Sequence, residues 1–349
     1  MSRDVFFMGL KARDPCQNAA AKVRALFEAA GLGECIDADA PVAIKIHFGE
    51  KGNNSYVSPV FARQVVEKIR EYGGKPFLTD SNTLYRGSRS NAVDHIMTAL
   101  EHGFSFATVA APLIIADGIR GGNYREVKIG KPHFERVLVS GDIADVNSLI
   151  VLSHFKGHEV AGFGGAIKNL AMGCAPPAGK QEQHAAKPLV LEERCIGCGK
   201  CLVACPRSAT GLVDGKSVID HDLCIGCFEC MTVCPEQAID LDWETEIPLF
   251  TEKLVEYAYG AALGKKTGYL NFLTHITPDC DCVPWSDAPI VPDIGFLASR
   301  DPVAIDAASF DLVNGQQGLR DSALTVNLGK GEDKFQGLRM RTDGYRQIR

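Results

Sequence analysis

Thirteen cysteines occur in the 349-residue sequence, and eight of them fall into two runs with the same spacing. Each run reads C-x2-C-x2-C-x3-C-P, and the second follows the first after 29 positions, so the segment is an internal duplication. Thiolates at this spacing are ligands of [4Fe–4S] clusters. The first run consists of Cys195, Cys198, Cys201 and Cys205, and the second of Cys224, Cys227, Cys230 and Cys234.

In two-cluster proteins of this kind, the fourth cysteine of each run ligates the other cluster. Paired zinc sites are the alternative, because zinc is also held by four cysteines. Zinc needs only two C-x2-C pairs, so two runs of four cysteines, each followed by proline, favour iron–sulfur clusters. The predicted ligand sets are Cys195, Cys198, Cys201 and Cys234 for one cluster, and Cys224, Cys227, Cys230 and Cys205 for the other.

Residues 186–243, which contain both runs, resemble bacterial-type two-cluster ferredoxin domains. The resemblance implies a small α+β ferredoxin-like domain that transfers one electron at a time at low potential. Clusters of this kind span roughly −700 to +450 mV, so the spacing alone does not set the potential. Gly197 and Gly226 are predicted to let backbone N–H groups approach the sulfurs.

A second group of polar residues follows the apolar run Leu149–Leu152, which is typical of a buried central strand. In a parallel sheet, ligands bind beyond the carboxyl ends of the strands. A glycine-rich turn then precedes a predicted helix, and the backbone N–H groups at such a helix start favour an anion. The predicted cofactor-binding residues are therefore Lys156, Gly164, Gly165 and Asn169.

Five basic residues form the predicted catalytic group, because they lie at strand ends or in that helix. They would bind an anionic group and supply protons during its reduction. Asp80 ends a third predicted strand and would join them, although helix capping explains it equally well. Taken singly, each histidine is more often a hydrogen-bonded residue and each lysine a solvated charge. The five residues are Lys45, His47, His154, His158 and Lys168.

A C-x-C pair, Cys280 and Cys282, is the third feature. Two thiolates at this spacing chelate a soft metal more easily than they form a mutual disulfide. Cys174 follows the glycine-rich helix and is predicted to complete a third metal site with them, although three reduced cysteines without a metal explain the pattern equally well. Cys16 and Cys35 are predicted to bind no metal.

Apolar runs alternate with helical patterns along most of the chain, which predicts βαβ units and an α/β fold. We expect a mostly parallel or mixed sheet with flanking helices, interrupted by the small cysteine-rich domain. Ser58, Ser90 and Asp301 are predicted helix N-caps, and residues 175–188 read as a linker. The predicted divisions are residues 1–185 and 244–349 for the two parts of the α/β domain, and residues 186–243 for the cysteine-rich domain.

The composition excludes several classes of protein. The net charge is −6 and the basic residues are dispersed among acids, whereas nucleic-acid binding needs a basic stripe. No segment reaches the ~18 apolar residues of a membrane span, and the first apolar run is too short for a signal peptide. We therefore expect a cytoplasmic protein whose partner is a redox protein or a small-molecule substrate, with no nucleic acid and no membrane. The sequence leaves its oligomeric state open.

Three further segments of the sequence carry a family resemblance: KIHFGEKGNNSYVSP (residues 45–59), SHFKGHEVAGFGGAIKNLAMGCAP (153–176) and CDCVPWSDAPIVPDIGFLASRDPVAID (280–306). Together they resemble the domain-of-unknown-function family 362, whose members are often described as iron–sulfur centre proteins. With the cysteine-rich segment they span nearly the whole chain. The resemblance implies an α/β domain with an embedded two-cluster ferredoxin, and it implies no settled reaction.

The stretch HEVAGFGGAIK, from His158 to Lys168, is also similar to a segment of the nickel-pincer lactate racemase family. In that family a lysine after the glycines holds a pyridinium-derived nickel cofactor, and histidines serve the metal and proton transfer. The resemblance implies that Lys168 is a cofactor position and His158 an acid–base position. Three hypotheses follow: an iron–sulfur oxidoreductase with its substrate at the sheet edge, an electron carrier that docks a partner oxidoreductase, or redox-neutral racemase-like chemistry at Lys168.

Overall fold

The computed structural model describes residues 3–14, 17–85, 87–184, 188–224, 229–241, 243–338 and 347–348. No helix in these ranges is both long and apolar enough to cross a bilayer. The strands are β1 Val5–Gly9, β2 Pro41–Ile46, β3 Lys75–Asp80, β4 Leu113–Ile115, β5 Tyr124–Lys128, β6 Arg136–Ser140, β7 Ser148–His154, β8 Lys156–His158, β9 Gly162–Gly164, β10 Pro188–Val190, β11 Thr210–Val213, β12 Lys216–Ile219, β13 Ile239–Leu241, β14 Lys266–Leu273 and β15 Gly295–Ser299.

Helices separate most of these strands. A 3-10 helix, Leu32–Cys35, lies between the first long helix and β2. The helices are α1 Ala19–Ala29, α2 Pro59–Glu71, α3 Ala92–Glu101, α4 Phe106–Val109, α5 Gly141–Ala144, α6 Ala166–Cys174, α7 Pro177–Gln183, α8 Lys200–Ala204, α9 Glu229–Thr232, α10 Trp243–Ala262 and α11 Pro302–Asn314.

One mixed sheet of seven strands forms the centre of the molecule, in the order β1-β15-β14-β7-β2-β3-β4. The strands β14, β7, β2, β3 and β4 are parallel, whereas β15 is antiparallel to both of its neighbours, β14 and β1. The predicted α/β class, with a mixed sheet and flanking helices, is confirmed. The five parallel strands all end at one edge of the sheet, here termed the carboxyl edge.

Both faces of the sheet are buried, as β7 illustrates. Leu149 and Val151 belong to one apolar core with residues of α6 and α10, whereas Ile150 and Leu152 belong to a second core with residues of α1 and α2. Alternate side chains of a strand point to opposite faces. An unbroken apolar run is therefore what a strand between two helical layers requires.

Two of the predicted helix starts are confirmed and one is shifted. Ser58 caps α2 by accepting a hydrogen bond from the Val60 N–H, and Asp301 caps α11. The cap of α3 is Asn91, not the predicted Ser90. Its carboxamide oxygen accepts hydrogen bonds from two consecutive backbone N–H groups of the first turn, which is the chemistry that an N-cap provides.

The linker predicted for residues 175–188 is wrong for half of its length, because the seven residues of α7 form within it. Pro177 is the first residue of α7, where its fixed φ favours a helix and its missing N–H costs nothing. Gln183 is fully buried and donates to the carbonyl oxygens of Ala171 and Gly179. The bond to Ala171 joins α7 to α6 and so holds a segment that lacks apolar periodicity.

The cysteine-rich segment builds two small sheets of its own. β10 pairs with β13, and β11 pairs with β12, both antiparallel. The short helices α8 and α9 each carry the third cysteine of a run, Cys201 and Cys230. The central sheet takes strands from both sides of this segment, since β14 and β15 follow it in the chain. The division at residues 186 and 243 stays a prediction.

A buried carboxylate connects the two flanks of that segment at the start of α6. Asp306, on α11, accepts hydrogen bonds from the backbone N–H groups of Ala166 and Ile167 at 2.8 and 2.9 Å. Asn271, on β14, donates a third bond to it at 2.8 Å. The first N–H groups of a helix lack partners within the helix. Asp306 supplies one from 140 residues away and fixes α6 against β14 and α11.

Replacing Asp306 with alanine removes the acceptor of three buried N–H groups. We expect Asp306→Ala to lower the free energy of unfolding by about 3 kcal/mol, as measured by chemical denaturation. Asp311→Ala is the control, because Asp311 is exposed on the same helix, and its effect should stay below about 0.5 kcal/mol. Equal stability of the two variants would contradict the role given to Asp306.

Candidate functional site

The carboxyl edge brings several predicted residues together through buried ion pairs. Lys45, on β2, lies 3.0 Å from Asp80, the last residue of β3, and both side chains are almost fully buried. The Lys45 ammonium also donates to the Asn169 side chain at 2.6 Å. A buried charge is tolerated only when it is paired. Lys45 is therefore engaged in contacts within the chain.

Asp80 collects several basic groups around one carboxylate. Arg89 and His95 each lie 3.7 Å from its second oxygen. Burial works to raise the pKa of Asp80, but Lys45 and His95 outweigh it and hold the pKa well below its usual range. The contacts of Asp80 are those of an ion-pair centre, and neither the catalytic nor the helix-capping interpretation describes them.

His47 lies just beyond β2 on the same edge. Its Nδ1 accepts a hydrogen bond from the Gly49 N–H at 2.9 Å. Burial and the neighbouring Arg89 guanidinium hold the pKa of His47 well below its usual range, so the ring is neutral near pH 7. A neutral imidazole that accepts at Nδ1 carries its proton on Nε2. His47 can thus donate a hydrogen bond through Nε2.

Asp281 is the second ion-pair centre of the edge. Its carboxylate lies 2.8 Å from His154 Nδ1 and 3.2 Å from Lys156 Nζ, and it accepts a hydrogen bond from Ser55 Oγ at 3.1 Å. His154 Nε2 lies 3.0 Å from each of two backbone carbonyl oxygens in the loop after β14. Carboxylates and carbonyls only accept, so both ring nitrogens face acceptors within the chain. No ring nitrogen of His154 is left for a substrate.

A third group gathers around the C-x-C pair. One ligand atom each from His158, Cys280 and Cys282 lies within 4.8 Å of the others. His158 Nδ1 accepts hydrogen bonds from the Val160 and Ala161 N–H groups, at 3.2 and 3.0 Å. One nitrogen and two sulfurs at this separation could hold a metal ion.

Lys168 borders this group. Its Nζ lies 3.6 Å from Cys280 Sγ, and the side chain is half-buried. In the part of the chain that the structure describes, no carboxylate pairs with it, unlike Lys45 and Lys156. Lys168 is therefore the predicted basic residue that is most available to an anionic ligand.

Cys174 is absent from the group of three possible ligands, which corrects the predicted third metal site. It is buried at the end of α6, with its thiol 3.9 Å from the Asn169 carbonyl oxygen, and burial raises the pKa of that thiol to about 11. Lys168 and Cys174 are six positions apart, which is about 120° around a helix axis. Because α6 directs Lys168 to the cysteine pair, Cys174 faces elsewhere, and His158 takes its place.

The anion predicted at the glycine-rich turn is supplied by the chain itself. Asp306 accepts the first two N–H bonds of α6, and burial raises its pKa to about 6, so it is still ionised at pH 7. Gly165 is required there, because a Cβ at this position would lie 2.3 Å from the Asp306 carboxylate. Gly164 is in close contact with Lys156, where a Cβ would come 3.3 Å from the side chain. Cofactor binding by these glycines stays a prediction.

Several residues that complete this edge were missed by sequence reasoning. Glu50 and Arg89 form a buried ion pair at 3.1 Å, and His95 has a fully buried ring. They lie on loops and a helix whose composition is unremarkable. The position of Asp281 between two cysteines could have identified it as part of the site. Nothing in the sequence around Asp306 could have done so, because its partners are far away in the chain.

In the cysteine-rich segment, four cysteines line one pocket that is partly open to solvent. Three of them come from the first run and the fourth, Cys234, from the second. This is the combination predicted for one cluster. Cys227 lies outside the described residues, as does Cys16. The four cysteines are Cys195, Cys198, Cys201 and Cys234.

Backbone N–H groups approach the sulfurs in the same way in both runs. Ala209 N donates to Cys205 Sγ and Ala238 N donates to Cys234 Sγ, each at 3.2 Å and four residues along the chain. N–H groups of Ser217 and Gly197 lower the pKa of Cys195. Gly197 has a φ of +66°, and a Cβ there would lie 2.2 Å from a carbonyl oxygen, so glycine is required. The predicted approach of the Gly197 N–H to a sulfur is confirmed.

The Asp281 contacts predict a specific response to acid. Burial works to raise its pKa, but His154 and Lys156 outweigh it and hold the pKa well below the usual value of about 3.9. Because the folded-state pKa is lowered, the carboxylate contributes stability above about pH 4 and loses it as the pH falls further. We expect Asp281→Asn to cost about 3 kcal/mol at pH 7 and to flatten the loss below pH 4, measured by denaturation at several pH values.

Asp287→Asn is the control for this prediction, because it removes the same charge from an exposed position in the same loop region. Its free energy of unfolding should follow that of the wild-type protein at every pH. If Asp281→Asn behaved like Asp287→Asn at pH 7, the buried contacts of Asp281 would contribute no stability.

None of the curated proteins matches the sequence. Among solved structures, the chain is similar to the lactate racemase apoprotein from Thermoanaerobacterium thermosaccharolyticum, with 11% identity and a TM-score of 0.38. That alignment covers 72% of this chain and 49% of the other, so this chain spans about half the length of that protein.

The family comparison is more extensive. A family model described as a domain of unknown function, DUF362, matches residues 42–311. The matched range runs from the start of β2 into α11, and it includes both ion-pair centres, the group around the C-x-C pair and the cysteine-rich segment. Because the match covers well over half of the sequence, the chain belongs to the DUF362 family.

Proposed function

We propose that this protein holds two [4Fe–4S] clusters and passes single electrons through them to an anionic small molecule bound near Lys168. The cysteines of the first ligand set are Cys195, Cys198, Cys201 and Cys234, and those of the second are Cys205, Cys224, Cys227 and Cys230. When bound, clusters of this type supply reversible one-electron transfer.

One observation carries the proposal: Cys234 lines the same cavity as three cysteines of the other run. A zinc site needs only the two pairs of one run. Two-cluster iron–sulfur proteins instead exchange their fourth cysteines, which brings Cys234 beside the first run. The shared cavity therefore favours paired clusters over paired zinc ions.

The backbone around the sulfurs supports the same interpretation. Cluster-bound thiolates carry negative charge, and N–H groups directed at them stabilise it and tune the potential. Such bonds reach Cys195, Cys205 and Cys234. Their repetition at Cys205 and Cys234 gives both proposed clusters a similar environment.

The carboxyl edge is the proposed place of the electron acceptor. Lys168 is half-buried and has no carboxylate partner among the described residues, so it can bind an anionic group. Reduction of an organic group adds charge, which a nearby hydrogen-bond donor stabilises until a proton arrives from solvent. The neutral His47 ring can donate such a hydrogen bond from Nε2, because its Nδ1 accepts the Gly49 N–H. Lys45 and His154 then position the site without touching the substrate, since their polar atoms are already engaged.

Paired cysteine variants separate crossed from uncrossed ligation. In the crossed arrangement, Cys201 and Cys234 serve one cluster, so the double variant Cys201→Ala/Cys234→Ala should lose only that cluster, about four of about eight irons per chain. Cys201→Ala/Cys205→Ala should lose both clusters, although its two cysteines lie in one run. Iron and sulfide analysis of anaerobically purified protein, with EPR after dithionite reduction, measures the loss.

Cys35→Ser is the matched control, because Cys35 is a buried thiol outside both runs. Its Sγ donates to the Thr267 carbonyl oxygen at 3.2 Å, a bond that a hydroxyl can also make, so all iron should be retained. Loss of a single cluster from Cys201→Ala/Cys205→Ala would contradict crossed ligation. Zinc without inorganic sulfide in the cysteine runs would end the redox proposal.

A bound small molecule tests the acceptor site. We expect anaerobically purified protein to release an anionic compound on denaturation, detected by mass spectrometry, and Lys168→Met to lack it while keeping both clusters. Lys128→Met is the control, since Lys128 is an exposed lysine on β5. If Lys168→Met retained the compound, Lys168 would not bind the acceptor. Reduced protein that holds no compound and passes its electrons to a partner protein would favour the carrier function.

A further inference from the structure

We propose that Cys280, Cys282 and His158 bind one thiophilic transition-metal ion of the zinc type, with the fourth coordination position open. This site would be separate from both cluster sites, because none of its ligands belongs to the cysteine runs. The inference goes beyond the proposed electron transfer and does not require it.

The donor set fits such an ion. Two thiolates and one imidazole are ligands that zinc and similar soft or borderline ions prefer, whereas magnesium and calcium require oxygen. The three ligand atoms already lie within 4.8 Å of one another. Zinc bonds of about 2.0–2.3 Å place tetrahedral ligands somewhat closer than this, so small side-chain rotations would close the group.

The loop that carries both cysteines is held from several sides. Asp281, the residue between them, is bonded to His154 and Lys156 and is fully buried. The Cys282 carbonyl oxygen accepts a hydrogen bond from Tyr85 Oη at 3.0 Å, and the Val283 N–H closes a turn onto the Cys280 carbonyl oxygen at 3.1 Å. A C-x-C pair on a fixed turn loses little entropy when it chelates a metal.

His158 contributes the weaker bond. Its Nδ1 accepts two backbone N–H bonds, so Nε2 is the nitrogen available to a metal. Metal-binding histidines usually donate their second N–H. Here the bonds run in the opposite direction, so a metal at Nε2 would replace the Nε2 proton, which passes to solvent. The N–H groups of Val160 and Ala161 would stabilise the negative charge of the resulting imidazolate. The two thiolates therefore provide most of the affinity, and His158 sets the orientation of the third ligand.

The fourth coordination position of the metal is open to a ligand from outside the chain. Among the residues that the structure describes, no further Cys, His, Asp or Glu joins the group. Structural zinc sites have four protein ligands, whereas sites with three keep a place for water or substrate. Lys168 lies beside Cys280, so the position is suited to an anionic ligand that bonds the metal and pairs with the ammonium. The ligand class is a carboxylate or thiolate small molecule.

Zinc is the probe for the test, since its K-edge X-ray absorption is not obscured by iron. Full-length protein with its clusters in place is treated with a chelator, loaded with zinc and dialysed. We expect about one zinc per chain with two sulfur neighbours at about 2.3 Å. Cys280→Ser and Cys282→Ser should each lose it, and His158→Gln should weaken zinc binding about tenfold. Cys174→Ser, a buried cysteine outside the group, is the control and should bind as tightly as wild type.

The outcomes separate this site from the clusters. Zinc retained equally by Cys280→Ser/Cys282→Ser and wild type, or zinc with four sulfur neighbours, would overturn the proposal. Loss of zinc from Cys174→Ser would also overturn it, because the ligand set would then be different. Iron and sulfide are measured on the same samples. Their absence would end the redox proposal alone, since the zinc count in Cys280 and Cys282 variants is independent of it.

Discussion

The carboxyl edge depends on one physical requirement: each charge buried there must meet an opposite charge. Asp281 satisfies it for Lys156, and Asp80 satisfies it for Lys45. Parallel strands end side by side, so their terminal side chains are forced into contact. Once paired, these groups cannot also act on a substrate, and they become the frame that holds the loops. The residues that can still contact a substrate or a metal lie beside these pairs. They are Lys168, His47 and the C-x-C pair.

Connections between distant parts of the chain reinforce that frame. The loop before β15 is held by a histidine of β7, and α6 begins on a carboxylate of α11. Both contacts join residues on opposite sides of the cysteine-rich segment. The α/β core is therefore assembled from two stretches of chain that are each incomplete, and the Asp281 part of its charged edge exists only after both have come together.

Sequence reasoning was most successful where the signal is local. The unbroken apolar run of β7 and the caps Ser58 and Asp301 are dictated by neighbouring residues, and the α/β class followed from them. The gathering of strand-end residues also followed, because topology alone requires it. Two features could not be predicted, because they depend on contacts between residues far apart in the chain. Asp306 binds the N–H groups at the start of α6, where an external anion was predicted. His158, and not Cys174, lies beside the cysteine pair.

The pairing of β10 with β13 has an evolutionary consequence. The chain enters the cysteine-rich segment and leaves it along two adjacent strands, with Pro188 opposite Leu241. A segment with neighbouring ends can be lengthened, shortened or exchanged without moving the strands of the central sheet. A change of length within the cysteine-rich segment therefore need not change the order or register of the central strands.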